Sequence, residues 1–234
     1  MIDVVFAQLQ RRDRSGGDCV SDNGICPDWI VENFDRYMSP LWQHVFLTLV
    51  SVAIGFAIAF VLALLAYRRR WLAGPIVQVT GILYTLPSVA VFFLLLPITG
   101  RGNTTAIIAL VAYSLLILFR NFMVGFENVP AETRDAGRGM GLTSRQLLWR
   151  VDLPLALPEI MAGLRIAVTT TVGLASLAFL AGAGGLGEAL FDDINFRSNV
   201  LVAGGLAVAL AIVLDLVVLA VQTATTPWTQ AAAA

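Results

Sequence analysis

Few side chains in this 234-residue sequence could support covalent or metal chemistry. The sequence contains one histidine, His44, and two cysteines, Cys19 and Cys26. A structural zinc site needs about four ligands, and a catalytic thiol needs a partner such as histidine beside it. Because neither requirement is well supplied, we predict that this chain holds no metal site and no catalytic residues.

The two cysteines lie in a polar, acidic segment, residues 1–40. If this segment lies outside the membrane, Cys19 and Cys26 could close a small disulfide loop. Two free thiols are the alternative, and both interpretations stay open. The first eight residues are too short and too broken for the apolar core of a signal peptide, so we expect no cleaved leader.

Asp215 is the one acid well inside an apolar stretch. At 1.5 Å per residue it lies roughly 12 Å from the C-terminal end of that stretch, so it must face protein or water. We expect a structural ion pair with Arg165 or Arg120. A role in moving protons or substrate is the alternative.

A charged segment between two apolar blocks carries two successive helix signals. Pro130 stands where a helix begins, and Gly141 interrupts the run. Thr143 and Gln146 then have the spacing of a capping box, which predicts a second, short helix that ends at Pro154. Its apolar side chains are Trp149, Val151 and Leu153. A hairpin of this kind is too short to fold alone, which favours a docking element.

The composition indicates that membrane-spanning helices position these residues. The sequence is 58% hydrophobic and only 13% charged, with a mean hydropathy of +0.80, whereas a soluble domain carries roughly 25% charged residues. The net charge of −1 argues against a nucleic-acid partner. Five apolar stretches approach the roughly 20 residues that a bilayer demands. They are residues 42–67, 75–98, 104–122, 159–181 and 200–223.

The arginines beside these stretches predict the orientation, because loops rich in positive residues stay in the cytoplasm. One side carries Arg68, Arg69, Arg70, Arg134, Arg138, Arg145 and Arg150, and the other carries Arg36, Arg101 and Arg197. The first side is therefore predicted to be cytoplasmic. Five spans then put the N-terminus outside and the C-terminus inside.

Seven residues of the charged segment resemble the cytoplasmic coupling loop of binding-protein-dependent ABC importers. They are Asp135, Ala136, Gly137, Gly141, Val151, Leu153 and Pro154. Two of them depart from the usual pattern, since Asp135 replaces glutamate and Gly137 replaces alanine. The resemblance implies that residues 123–158, with Trp149, form the contact with an ATPase.

Further motifs resemble the osmoprotectant branch of these permeases, which imports glycine betaine, choline, carnitine or similar quaternary amines. They are Thr85-Leu86-Pro87-Ser88-Val89-Ala90, Tyr113, Arg120-Asn121 and the glycine-rich turn 182–187. A proline that is common just before the Arg-Asn pair is missing. Helix interruption also makes Tyr84, Thr85 and Pro87 candidate pore-lining residues.

The resemblance implies an all-α, polytopic membrane protein with the type I ABC importer permease fold. Residues 41–234 would form the transmembrane domain. Residues 1–40 would form an extracytoplasmic tail, and apolar residues at helical spacing within this tail predict an interfacial helix before the first span; they are Trp29, Ile30, Phe34, Tyr37 and Leu41. The implied partners are two ATPase subunits, which bind ATP and magnesium, a second permease, identical or homologous, and an extracytoplasmic substrate-binding protein. The chain itself would bind no cofactor and would lie in the cytoplasmic membrane of a bacterium.

Two alternatives remain for the function. A methionine-like amino-acid permease of the same fold would share the docking loop, and an intramembrane enzyme would need convergent polar residues, of which only Asp215 offers itself. Gly182, Gly184 and Gly187 have the spacing of a dinucleotide-binding loop. That loop needs a preceding strand, so we interpret the glycines as an extracytoplasmic turn.

Overall fold

The computed structural model describes residues 17–228, and all of their regular elements are helical. This confirms the predicted all-α class. The tail before residue 17, including the predicted lack of a signal peptide, lies outside the described residues. The helices are α1 Gly17–Ser21, α2 Pro27–Asn33, α3 Met38–Arg68, α4 Ala73–Thr85, α5 Ser88–Thr99, α6 Asn103–Glu127, α7 Ala131–Gly139, α8 Ser144–Leu147, α9 Leu153–Ala175, α10 Leu186–Asp192 and α11 Arg197–Thr225. Short 3₁₀ turns cover Phe34–Tyr37, Arg70–Leu72 and Ala178–Ala181, and a π-helical turn covers Leu148–Asp152.

The core of the bundle is formed by α3, α6 and α9, which pack closely because small residues lie between them. A Cβ at Gly55 in α3 would lie 2.2 Å from Ser114 Oγ in α6. A Cβ at Gly163 in α9 would lie 2.3 Å from the Asn121 Cβ in α6. Helices in a bilayer gain little from apolar burial against each other, so close backbone approach at small residues is what holds them together.

Polar contacts fix which helix ends lie together. Near the start of α3, Gln43 Nε2 donates to Asn103 Oδ1 at the start of α6, 2.7 Å away, and to the Ala183 carbonyl after α9. At the other end of the bundle, Tyr67 in α3 bonds to Asp152 just before α9. Between residues 17 and 228 the chain therefore passes between the two ends five times, with α4 and α5 together forming the second passage.

Length and composition support three of these passages as membrane spans, and a fourth if the bent pair of α4 and α5 is one span. Within residues 17–228, Pro27–Arg68, Asn103–Glu127 and Arg197–Thr225 are each long and apolar enough, and Arg70–Thr85 with Ser88–Thr99 qualifies as a pair bent by 97°. The predicted fourth span, 159–181, corresponds to α9, which is not among these helices. The predicted count of five spans and their orientation remain predictions.

The boundaries of α9 differ from the predicted ones. We expected the second loop helix to end at Pro154 and the next span to begin at 159. Instead, α8 continues through the π-helical turn into α9, and Pro154 lies in the first turn of α9. Pro154 does not end the helix, although it cannot donate a backbone hydrogen bond to the turn before it, and that turn is the wider π-helical one. The helix then ends at Ala175, six residues before the predicted end of the span.

The segment before α3 packs partly on protein. The Trp29 ring contacts Phe196 edge-on, with centroids 4.7 Å apart, and the Tyr37 hydroxyl donates to Asn199 Oδ1 at 2.6 Å. Phe34, in contrast, is exposed. Two of the aromatic residues that suggested an interfacial helix therefore contact the start of α11 rather than face outward.

A disulfide joins Cys19 and Cys26, whose Cα atoms lie 6.0 Å apart. The loop that it closes is attached to α11. The Cys26 N–H donates to Ser198 Oγ at 2.7 Å, and that hydroxyl donates to the Gly24 carbonyl at 3.1 Å. Of the two alternatives that the sequence left open for these cysteines, the structure shows the disulfide.

Candidate coupling site

The loop between α6 and α9 is a helical hairpin whose turn is closed by its own backbone. Gly141 has φ of +81°, a left-handed conformation that glycine adopts without a steric cost. The N–H of Gly141 bonds to the Arg138 carbonyl, and the N–H of Leu142 bonds to the Gly137 carbonyl. These two bonds form a Schellman motif, which ends α7 and satisfies its last carbonyls.

The start of α8 is the predicted capping box. The Gln146 N–H donates to Thr143 Oγ1 at 3.3 Å, and the Thr143 N–H donates to Gln146 Oε1 at 2.9 Å. Two N–H groups that a helix start would leave without partners are thereby satisfied. The hairpin thus consists of two separately ended helices, which gives its two arms a defined angle.

Gly137 lets the two arms of the hairpin touch. A Cβ at this position would lie 2.8 Å from Leu147 Cδ1 and 3.4 Å from Leu142 Cδ1. An alanine, which is usual here in the resembling loops, would need the Leu147 side chain to shift. The substitution of glycine therefore allows a closer contact between α7 and α8.

The residues that match the coupling-loop motif, together with Trp149, divide into an exposed, outward set and a buried or half-buried, inward set. Trp149 is 47% exposed, and its ring also contacts Phe60 of α3 at a centroid distance of 6.2 Å. Asp135 and Ala136 are exposed as well, and Asp135 forms a 3.1 Å surface ion pair with Arg138. Gly137 is buried, and Val151, Leu153 and Pro154 are half-buried. Gly141 is also exposed, so the outward set is the part of the motif most accessible to a partner.

A buried polar network under the hairpin was not predicted. Arg134 Nε donates to Asp152 Oδ1 at 2.7 Å, and the Tyr67 hydroxyl donates to Asp152 Oδ2. Arg134 also donates to the Phe126 carbonyl. The Asp152 side chain is 0% exposed and that of Arg134 is 19% exposed. The only signal in the sequence was an acid standing alone among apolar neighbours.

The candidate pore residues lie at the 97° bend between α4 and α5. Tyr84, Thr85 and Pro87 are all exposed, and the Tyr84 ring lies 6.1 Å from that of Tyr113. We expected the interruption to free backbone polar groups. The Leu86 carbonyl is not free, however, because the Tyr113 hydroxyl donates to it at 2.5 Å.

Asp215 has Arg165 as its partner. Arg165 Nε and Nη2 donate to the two carboxylate oxygens of Asp215 at 2.8 and 2.7 Å. This two-point geometry joins α9 to α11. Arg120, the other expected partner, is exposed and is not among the ion pairs of the described residues.

His44 is a structural residue at the opposite end of the bundle. It is fully buried; its Nδ1 accepts from the Leu186 N–H at 3.3 Å, and its Nε2 lies 3.0 Å from the Val172 carbonyl. It thereby joins α3 to α9 and to the glycine-rich turn, where Gly182, Gly184 and Gly185 have positive φ. Within residues 17–228, this turn follows a helix rather than a strand, and no cluster of three metal-binding side chains occurs.

The sequence is similar to known proteins over most of its length. Residues 51–229 match the family model described as binding-protein-dependent transport system inner membrane component. The osmoprotectant import permease protein of Salmonella typhimurium is 36% identical over 206 residues, which cover 85% of this chain and 96% of that protein. The glycine betaine/carnitine/choline transport system permease protein of Bacillus subtilis is 34% identical over 187 residues, covering 79% and 86% respectively.

A solved structure shows the same fold. An inward-facing structure of a methionine ABC transporter superposes with a TM-score of 0.67 at 22% identity, covering 82% of this chain and 94% of that one. The family model extends over most of the chain. The chain therefore belongs to the family of binding-protein-dependent transport system inner membrane components.

Proposed function

We propose that this permease subunit carries compatible solutes of the quaternary-amine class, such as glycine betaine, choline or carnitine, across the cytoplasmic membrane of a bacterium. The observation that supports the transport role most directly is the hairpin of residues 131–152. It is closed by its own capping bonds and still leaves Trp149 nearly half exposed. The names of the relatives favour this class of solute over amino acids.

The complete transporter in this proposal contains several chains. Two ATPase subunits bind ATP and magnesium and dock on the hairpins of two permeases, identical or homologous. An extracytoplasmic protein delivers the solute to the end of the bundle where the disulfide loop lies. The arginine-rich loops support placing the hairpin in the cytoplasm, where the ATPases would reach it.

Transport would follow alternating access. ATP-driven closure of the two ATPases moves the hairpins, and the hairpins shift the helices so that the pathway opens to one side at a time. Tyr84, Thr85 and Pro87 stand at the bend between α4 and α5 and are proposed to line this pathway. No catalytic step is assigned to the chain itself.

Uptake by the reconstituted complex tests this proposal. Radiolabelled glycine betaine, choline and carnitine should enter proteoliposomes that contain the permease, its ATPase and its binding protein, in an ATP-dependent manner. Uptake of methionine and of none of these three would replace the proposed solute class by amino acids. ATP-independent chemical conversion of a lipid or peptide would instead favour an intramembrane enzyme.

A Trp149→Ala variant tests the ATPase contact. Aromatic residues at the centre of an interface often contribute a few kcal/mol to binding, so the ATPase should co-purify poorly while the permease reaches the membrane normally. Trp71→Ala is the matched control, since Trp71 is also exposed but lies outside the hairpin. Full co-purification and uptake with Trp149→Ala would show that the contact lies elsewhere.

A further inference from the structure

A hydrogen-bonded network joins four elements of the fold. Its side chains are Tyr67, Asp152 and Arg134, and it is called the Tyr67–Asp152–Arg134 network below. Tyr67 belongs to the last turn of α3, and Arg134 to α7. Asp152 ends the π-helical turn before α9, and the Phe126 carbonyl that accepts from Arg134 belongs to the last turn of α6. Both carboxylate oxygens of Asp152 accept hydrogen bonds. The hairpin is thereby hydrogen-bonded to α3 and α6, and it continues directly into α9.

Burial makes these bonds difficult to break. The Asp152 side chain is fully buried, and a charge removed from water is stable only while it is paired and hydrogen-bonded. The ring of Tyr67 also packs on Phe126, with centroids 5.2 Å apart. If the hairpin rotated against α3, the buried Asp152 carboxylate would lose the Tyr67 hydroxyl, and if it rotated against α6, Arg134 would lose the Phe126 carbonyl. The hairpin and the adjacent ends of α3 and α6 should therefore move together.

The π-helical turn directs Asp152 into this network. A π turn holds one more residue than an α turn, which rotates the following side chains by about 100° around the helix axis. Such turns are rare and occur frequently at functional sites. Here the turn spans Leu148–Asp152, so that Trp149 is exposed while Asp152 is buried. One short segment thus presents a side chain to a partner and another to the core.

We propose that the Tyr67–Asp152–Arg134 network is the connection through which the hairpin moves α3 and α6, and that its members are positioning residues for coupling rather than contacts to the ATPase. The inference rests on the proposed function, because it assumes that an ATPase moves the hairpin. The exposed Asp135–Arg138 ion pair of the same hairpin offers a contrast, since both of its side chains are about two-thirds exposed. Breaking that pair should leave the connection intact.

A distance measurement within one chain tests the connection. Spin labels on Arg70→Cys and Arg145→Cys report the separation between the end of α3 and the hairpin, and both positions are exposed. In the wild-type complex with its ATPase, this separation should be the same with and without ATP. In the Tyr67→Phe and Asp152→Asn variants, the label separation should change, or its distribution should broaden, when ATP is added. Tyr67→Phe keeps the ring packing on Phe126, so folding should be retained even if Asp152→Asn assembles poorly.

A second measurement follows coupling. Tyr67→Phe should retain wild-type co-purification with the ATPase and should lower the thermal unfolding midpoint only modestly, because it leaves one buried carboxylate oxygen without its donor. It should nevertheless lose most of the ATPase stimulation by loaded binding protein. Arg134→Gln should behave in the same way. Arg138→Gln removes the same charge one helical turn later; it should leave the label separation at the wild-type value and should lose less of the stimulation than Arg134→Gln. The double variant Tyr67→Phe/Asp152→Asn should be no worse than Asp152→Asn, because both remove one shared interaction.

Three results would overturn the inference: a label separation that changes equally in wild type and variants, equal losses in Arg134→Gln and Arg138→Gln, or a loss of uptake that merely follows a lowered unfolding midpoint. The label separation does not depend on the solute. If quaternary amines were not transported but the separation behaved as expected, the solute proposal would fail and the connection would stand.

Discussion

Arg165 and Asp215 form the ion pair that attaches α11, a mostly exposed helix, to α9. Both side chains are about one-third exposed, so the pair lies at the edge of the interface between α9 and α11. An isolated charge at this depth would be costly in lipid. Because two hydrogen bonds pair the charges, neither side chain has to reach water to be stabilised.

We predict that Asp215→Asn lowers both the amount of permease in the membrane and its unfolding midpoint in detergent. Solute preference should be unchanged. The exchanged pair Arg165→Asp/Asp215→Arg should recover part of the loss, because it restores opposite charges at the same two positions. Asp193→Asn, at an exposed acid in the turn before α11, is the control and should behave as wild type. A shifted pH profile of uptake with normal assembly would favour the proton or substrate role instead.

The residues that the sequence identified are those whose partners are near in the chain. Thr143 and Gln146 cap a helix start three residues apart, and Gly141 ends the preceding helix, so local patterns revealed both. The Tyr67–Asp152 bond joins residues 85 positions apart, and no spacing rule indicates it. Asp215 is intermediate, since its need for a cation was predictable but the choice between Arg165 and Arg120 required the packing of the helices.

Gly141→Val should uncouple the transporter without affecting membrane insertion. No atom lies within 4 Å of a Cβ placed at Gly141, so the cost is one of backbone conformation. A left-handed conformation costs a residue with a side chain roughly 1–2 kcal/mol, and relief of that strain would tilt α8. Gly139→Val is the matched control, because Gly139 also has open space around it but no positive φ. We expect loss of uptake for the first variant and near-normal uptake for the second, at equal membrane levels.

At the scale of elements, the sequence predicted the number of helical passages better than their ends. Apolar composition locates a span, whereas its ends depend on what the chain meets there. Pro154 suggested a helix end, but the π-helical turn before it leads directly into α9. Similarly, residues 176–181 are apolar enough to extend a span, yet they form turns beside the glycine-rich segment. Contacts with the rest of the fold therefore determine where these helices end.

Close packing of α6 against α9 leads to a prediction about two glycines of one helix. Gly163→Ala should destabilise the permease, because its Cβ would overlap with Asn121, and overpacking of this kind costs about 1–3 kcal/mol. Gly173→Ala meets open space and should be neutral or stabilising by up to about 1 kcal/mol through helix propensity. Thermal unfolding of the two purified variants in detergent compares them. Equal midpoints would show that α6 and α9 do not approach as closely as the structure indicates.

At the scale of the whole molecule, the arginine-rich loops and the hairpin occupy one end of the bundle. The Arg70–Leu72 turn follows α3, and the hairpin joins α6 to α9 at that same end. The disulfide loop, the glycine-rich turn and the start of α11 occupy the other end. This separation is what an importer requires, because its delivery protein and its ATPase must act on opposite faces.

Labelling of single cysteine variants in intact cells tests the orientation. A membrane-impermeant thiol reagent should modify Asn103→Cys, at the end that carries the disulfide, and should modify Ser144→Cys only after the cells are permeabilised. Both positions are exposed, so access to solvent within the protein is similar. The native cysteines are joined and should contribute little background. Labelling of Ser144→Cys in intact cells would reverse the predicted orientation.

The attachment of the disulfide loop to α11 has a consequence for the order of assembly during synthesis. Cys26 bonds to Ser198, 172 positions later, and Tyr37 bonds to Asn199, 162 positions later. The segment of Cys26 and Tyr37 thus finds its binding surface only when α11 has been made. Until then, the Tyr37 hydroxyl and the Cys26 N–H lack these partners. This end of the bundle is therefore completed only after α11 is synthesised, by residues that were translated long before it.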